Sequence, residues 1–520
     1  AITGRALLDE SARLIMPATP DGKGADQFVI TASAGPAIRT LLLGLLPDVS
    51  LESARRTAAS GYLSVLDTLS LGDHRREDQQ IDAVIRTRPE VILVAGGTEN
   101  GATDALARLI ETVGLACHLL PPEVKAKVLY LGNAKLRDRV AELLGGVAVV
   151  HSAPNVQPEL NVERLTPARA ALAKLYEELR LEQIGGLQNI APWAGGRLYP
   201  TAQAEGHIIR YFSQALGPGK GVLGVDVGSA STTLAAAFGG DLTLNVFTDL
   251  GVGVSAATAL KEAAIEHFTR WVPYEISAEA MRDFILNKAL YPHTVPADVR
   301  DSYLEYALAR QVMRAALRRA RRDWPRTARA LRPDLLPSFE AIFGGGAVLT
   351  HAPRPGLAAL MMLDGLQPAG LTELFLDGHH LAAALGALAY VNPTAVVQIL
   401  SSDFMSLGTA ISVITRGSTG SVACTATLTP AQGPETSVEV KFGTIEVLPL
   451  PLNQTGKLTL KPRMGVDLGF GPGRGKTIKE LSGGAVGVII DARGRPIRFP
   501  DTPEKRCESV QQWIWKVGGL

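Results

Sequence analysis

Between residues 89 and 113 the chain reads Pro-Glu-Val-Ile-Leu-Val-Ala-Gly-Gly-Thr-Glu-Asn-Gly and then Ala-Thr-Asp-Ala-Leu-Ala-Arg-Leu-Ile-Glu-Thr-Val. An unbroken apolar run, a glycine turn and apolar residues at helical spacing predict a buried strand followed by an amphipathic helix. The pattern repeats with Lys127-Val-Leu-Tyr-Leu-Gly, then a helix over 133–144 ending at Gly145-Gly146, then the apolar Val147-Ala-Val-Val. Strands that alternate with helices predict a mostly parallel sheet covered on both faces. A different pattern starts at residue 221: a strand, a Gly/Ser/Thr turn at Asp226-Val-Gly-Ser-Ala-Ser-Thr-Thr, a second strand and a Gly239-Gly240-Asp241 hairpin signal. Helical periodicity fills 256–332 and stops at Pro333, and Phe339-Glu-Ala-Ile-Phe-Gly-Gly-Gly predicts one more strand ending in a triple-glycine turn. After about residue 401 the text becomes alternating and rich in Val, Thr, Gly and Pro, which predicts β structure. The expected organisation is α/β, bilobed with a cleft: a first lobe over 1–215, a second over 216–400, and a mainly β domain over 401–520.

At 520 residues several cores are expected. The 52 basic and 51 acidic side chains nearly cancel, which removes any bulk argument for a nucleic-acid partner. Cys117, Cys424 and Cys507 are far apart and in no metal-ligand spacing, so neither a disulfide framework nor structural zinc is expected, and a reducing, cytoplasmic compartment fits. The longest apolar run, 381–391, is too short and alanine-rich for a membrane span and predicts a buried helix. The chain opens on Ala1 without a signal pattern, and native residues upstream are expected.

The turn after Asp226 carries the most chemistry. Small residues there let backbone N–H groups approach phosphate oxygens, and the carboxylate then faces a metal or its water shell. Gly228 relieves the turn, and Ser229, Ala230, Ser231 and Thr232 supply amides and hydroxyls; the plainer alternative is a hairpin with an exposed aspartate. Gly344, Gly345 and Gly346 follow a buried strand, where missing side chains let a base or ribose lie against backbone; a simple strand-to-helix turn is the alternative. Gly96, Gly97 and Thr98 are a candidate counterpart in the first lobe, with Glu99 and Asp104 read as solvated helix-start acids. Gly471-Pro-Gly-Arg-Gly-Lys-Thr misses the P-loop pattern because Phe470 stands at its first glycine, so a glycine-rich β-turn is expected. His379-His380 reads as a helix start, and Arg318, Arg319, Arg321 and Arg322 as a solvated helix face. No GxSxG elbow and no clustered His and Asp ligands support a hydrolase.

Asp226-Val-Gly-Ser-Ala-Ser-Thr-Thr, Gly344-Gly-Gly, Ile92-Leu-Val-Ala-Gly-Gly-Thr, Asp491-Ala-Arg-Gly-Arg-Pro and Thr31-Ala-Ser-Ala-Gly-Pro-Ala-Ile-Arg together resemble the glutamate-mutase accessory (MutL/GlmL) family over most of the chain. The resemblance implies an actin-like (ribonuclease H-like) ATPase fold, ATP and Mg²⁺ as ligands with Asp226 at the metal, and a chaperone-like role toward an adenosylcobalamin-dependent mutase. Two departures stand out. The family's opening Asp-x-Gly phosphate motif is absent before Thr31, and Thr233 stands where the second phosphate motif has another aspartate. The second departure bears on hydrolysis more than on binding, so a degenerate scaffold acting as an interaction platform is the alternative.

Overall fold

The structure is a computed structural model describing residues 4–99, 101, 103–121, 125–217, 221–325, 328, 330, 332–400 and 404–519. The chain divides into two compact units, one of Ala1–Ala204 with Gly386–Pro393 and one of Glu205–Leu385 with Thr394–Leu520.

The first unit holds an all-parallel sheet in the spatial order Leu63–Ser70, Ile38–Gly44, Val91–Ala95, Lys127–Tyr130, Val149–Ser152. In chain order this is 2-1-3-4-5, a doubly wound arrangement. Its centre, Val91–Ala95, is buried at every residue because helices cover both faces, which is why the strand reads as continuous rather than alternating. Leu106, Ile110 and Val113 of the helix Asp104–His118 pack against Ile92 and Val94 in one core.

The second unit is built on an eight-stranded sheet. Asp241–Phe247, Thr232–Phe238 and Gly221–Val227 run antiparallel as a meander, and Phe339–Gly345 and Gly370–Leu376 then lie parallel to Gly221–Val227. This 3-2-1-4-5 order is the ribonuclease H-like order expected of an actin-like ATPase. Gly239 and Gly240, at φ of 58° and 88°, make the tight connection between the second and third strands, the backbone region that such two-residue hairpins require.

The segment after 401 supplies two things. Met405–Ser412, Gly487–Asp491 and Ile445–Leu448 continue the eight-stranded sheet, and Val422–Pro430, Thr436–Lys441, Thr455–Pro462 and Lys476–Ser482 form a separate four-stranded antiparallel sheet. The shared strands are buried on both faces. Ala410 and Ile489 join the core under the long helix, while Ile411, Val488 and Ile490 join the core under the four-stranded sheet. The long helix, Val299–Ala320, starts where the Asp298 carboxylate accepts from the Asp301 N–H at 2.8 Å, and it crosses beneath the sheet beside Pro355–Leu366, a buried helix that is apolar but for Asp364.

One buried ionic network ties the tail to this helix. Asp364 accepts from Arg310 at 2.7 Å and from Arg493 at 2.6 Å, while Asp491 accepts from Arg493 and Arg495 at 2.8 Å each. Burial alone would raise the Asp491 carboxyl, but the guanidinium groups of Arg493 and Arg495 outweigh it and hold the group well below the usual carboxylate range. The Asp491-Ala-Arg-Gly-Arg-Pro motif is thus a structural clasp. Asp491→Asn keeps the shape but leaves the buried Arg495 guanidinium without a carboxylate and Arg493 with Asp364 alone, so equilibrium urea denaturation is expected to show a loss of roughly 3–5 kcal/mol; a loss below about 1 kcal/mol would contradict this role.

Candidate functional site

Asp226 is the next-to-last residue of the strand Gly221–Val227, opposite Thr233 on one side and Gly345 on the other. A Cβ on Gly345 would lie 2.7 Å from Asp226 Oδ2, and one on Gly346 would lie 2.2 Å from the Val227 carbonyl oxygen. The strand end and the triple-glycine bend therefore touch, and only glycine permits it. Gly346 also takes φ of 88° before the short helix Ala347–Thr350.

Beyond Asp226 the chain turns, with the Gly228 N–H donating to the Ser231 carbonyl at 2.9 Å. The following loop straps this turn from outside. Val252 and Gly253 N–H groups donate to the Gly228 and Ser229 carbonyls, the Ser255 hydroxyl donates to the Ala230 carbonyl, and the Thr232 hydroxyl donates to the Leu250 carbonyl. Gly253 fits only because it lacks a Cβ, which would fall 2.1 Å from Ser229 Oγ. Thr232 is fully buried, so its hydroxyl serves the strap and not a ligand. Within the described residues, the N–H groups of Ser229, Ala230 and Ser231 make no hydrogen bond. Three consecutive free amides on an ordered turn are donors that an anion can use.

Two cavities border this region. The smaller, about 30 Å³, is lined by Asp226, Glu205, Asp377, Thr233, Gly344 and Gly345 together with apolar residues such as Phe343. Asp377 accepts from the Leu381 and Ala382 N–H groups at 2.7 and 2.9 Å, capping the helix that carries on from there. Asp226 and Glu205 have no hydrogen-bond partner among the described residues. Burial pushes the Asp226 carboxyl up to about 6, with His380 opposing and Asp377 adding to the shift, and burial with the charges of Asp226 and Asp377 raises Glu205 well above its ordinary value. Three carboxyls sharing a space of this size favour a bound cation. No group of three ligating side chains is preformed among the described residues. The donor set therefore suits an ion such as Mg²⁺ that keeps waters and takes one or two carboxylates.

The larger cavity, about 520 Å³, begins at Val227, Gly228 and Ser229 and continues past Gly253 to Glu305, Tyr306 and Val348. On its wall Lys288 Nζ meets Glu305 Oε1 at 2.8 Å, with side-chain exposures of 8 % and 13 %. This volume lies in the range of small-molecule sites.

Of the residues singled out from the sequence, Asp226, Gly228, Ser229, Gly344 and Gly345 line these cavities, and Ala230 and Ser231 complete the turn. Gly96, Gly97 and Thr98 belong to the first unit and line neither cavity. There Asn155 donates to the Gly97 carbonyl and to Glu99, and Asn133 donates to the Thr98 carbonyl, so Glu99 is a loop clasp and not a solvated acid. The 471–477 stretch is a turn leading into the strand Lys476–Ser482, and Asp467 already accepts from its Gly469 and Gly471 amides. Of the arginines after 317, Arg318 and Arg319 pair with Glu262, and Arg319 also with Asp249, while Arg321 and Arg322 follow the end of the helix. Sequence reasoning missed Glu205 and did not assign Asp377 to the site. The Asp-Gly after an apolar strand was a signal for Asp377; Glu205, in the helix Thr201–Leu216, had none.

Among the described residues no helix is long and apolar enough to cross a membrane. Several solved structures show distant likeness. Component A of (R)-2-hydroxyglutaryl-CoA dehydratase from Acidaminococcus fermentans matches at 13 % identity over 56 % of this chain and 84 % of its own, with a TM-score of 0.21. The archaeal actin homologue Ta0583 matches at 10 % identity over 56 % of this chain and 77 % of its own, with a TM-score of 0.20. Scores of this size establish nothing about the fold, which rests on the strand order above. The curated relative Protein MutL of Clostridium tetanomorphum is 23 % identical over 402 residues, spanning 71 % of this chain and 84 % of that protein. The family model described as MutL protein matches residues 6–404, more than half of the sequence, and the chain belongs to that family.

Proposed function

We propose that this chain is a nucleotide-binding accessory protein of the actin-like ATPase type, taking ATP with Mg²⁺ and serving an adenosylcobalamin-dependent mutase. The observation that carries the nucleotide reading is the run of three free amides at Ser229, Ala230 and Ser231, set between a carboxyl-lined hollow and a cavity of about 520 Å³. In this reading the amides of the Gly228 turn hold phosphate oxygens, and the nucleoside occupies the larger cavity beside Ala347, Val348 and the Lys288–Glu305 pair. Gly344 and Gly345 serve the carboxyl hollow, and Gly346 makes the bend that brings Val348 to the nucleoside. Mg²⁺ would neutralise phosphate charge, with Asp226 holding its water shell and Glu205 or Asp377 orienting those waters. The 30 Å³ hollow has room for an ion and its nearest water but not for a nucleotide, which matches this division of labour.

The mutase link rests on family membership. The alternative, a scaffold without turnover, is favoured by Thr233 at the position of an expected acid. It is weakened by Glu205 and Asp377, which bring two further carboxyls to the same hollow.

Isothermal titration of the full chain with ATP and Mg²⁺ is expected to show saturable binding that Asp226→Asn weakens by roughly tenfold or more, about 1.4 kcal/mol. Saturable binding to the native chain and retained mutase association by a variant that no longer binds nucleotide would favour the scaffold. Absence of heat with the native chain would contradict the nucleotide reading. The same variant reports on proton linkage. Asp226 sits at about 6 against 3.8 for an exposed aspartate, so the contribution of this one group to folding stability is full below about pH 4 and is lost as pH rises through 6. Without Mg²⁺, Asp226→Asn is expected to flatten that decline and to have the higher Tm at pH 7. Gly345→Ala pushes a methyl group against the Asp226 carboxylate, and its expected signature is a weakened Mg²⁺ dependence of nucleotide binding with the circular dichroism spectrum retained.

A further inference from the structure

Within the second unit a separate cavity of about 110 Å³ lies between the end of the long helix and the tail clasp, lined by Arg314, Arg318, Arg321, Arg495, Asp334 and Gln367. Its charges do not balance. Arg318 is paired with Glu262 and Arg495 with Asp491, and Asp334 is taken up by Arg332. Arg321 donates only to the Pro333 and Leu335 carbonyls, and Arg314 has no hydrogen bond or ion pair among the described residues. The clasp behind the wall adds to the excess, with Arg310, Arg493 and Arg495 set against only Asp364 and Asp491. A half-buried guanidinium group without counter-charge, as at Arg314, is costly. The strain is visible at Arg314, where burial, then the charge of Arg318, depresses the group despite Asp364, and at Arg270, which burial and Arg314 bring down to about 10.

We propose that this arginine-walled cavity binds a phosphate group, as free phosphate or as the monoester of a small metabolite. Two guanidinium groups without a counter-charge, Arg314 and Arg321, match the two negative charges of a phosphate near neutral pH, and planar forked donors suit its oxygens. Gln367 is spoken for, since its amide donates to the Asp364 carbonyl and its oxygen accepts from the Ile497 N–H, so it closes the floor without competing for the anion. Neither Arg314 nor Arg321 borders the two cavities near Asp226, so this site stands apart from the nucleotide proposal.

The test is a titration of the full chain with inorganic phosphate and, separately, with glycerol 3-phosphate, followed by thermal unfolding and calorimetry. The native chain is expected to gain Tm with one or both probes. A stronger response to inorganic phosphate assigns free phosphate, and a stronger response to the ester assigns a metabolite headgroup. Arg314→Met keeps the apolar stem and is expected to lose about tenfold or more in phosphate affinity while being at least as stable as the native chain without phosphate. Arg321→Gln, at the exposed rim, provides the same readout should Arg314→Met not fold. No response in the native chain, or an equal response in native and variant proteins, overturns the proposal.

Discussion

The register between Gly221–Val227 and Phe339–Gly345 is the constraint on which the site depends. Parallel pairing sets Gly345 beside Asp226, and antiparallel pairing on the other flank sets Thr233 there. A carboxylate in the middle of an eight-stranded sheet is expensive unless something charged meets it. Here the sheet neighbours are a glycine and a threonine, two further acids line the same hollow, and His380 only partly opposes the effect of burial. A slip of one residue would turn Asp226 to the other face and replace it with a valine. The glycine pair and the strapped turn are consequences of the same register, since Gly346 lets its backbone approach that of Val227 and Gly253 leaves room for Ser229 Oγ.

Opposite charge excesses are stored within one unit: acids around Asp226 and guanidinium groups around Arg314. The helix Val299–Ala320 runs past both ligand-sized cavities, with Glu305 and Tyr306 at the larger one and Arg314 and Arg318 at the basic one. At 1.5 Å per residue these are separated by roughly 12–20 Å along the axis. The helix is packed on nearly all sides, so it transmits a displacement as a body more readily than it bends.

Much of this was legible beforehand. Continuous apolar runs such as Val91–Ala95 gave away the parallel sheet, and Gly239-Gly240-Asp241 gave away the hairpin, because each depends on residues close in sequence. Asp226 and the triple glycine could be matched for a similar reason: both are strand ends followed by small residues. Glu205 could not be found. It sits on a helix whose periodicity identifies only a face, and its surroundings combine the strands Gly221–Val227 and Thr232–Phe238 with residues more than a hundred positions away, such as Phe343 and Asp377. The tail was half legible. Alternation marked its strands, but nothing local says that Met405–Ser412 and Gly487–Asp491 pair with each other across nearly eighty residues and complete the central sheet. Likewise Asp491-Ala-Arg-Gly-Arg-Pro contributed only to a family resemblance, and its structural role came from Arg310 and Asp364 on distant helices.

In the proposed complex, main-chain amides of one turn grip a triphosphate. Amide hydrogen exchange of the full chain, resolved to Ser229, Ala230 and Ser231, measures that grip directly. Addition of ATP with Mg²⁺ is predicted to slow exchange at these three positions well beyond the change at the 471–477 turn. Exchange that stays unchanged at the three amides while nucleotide saturates the protein would contradict the account.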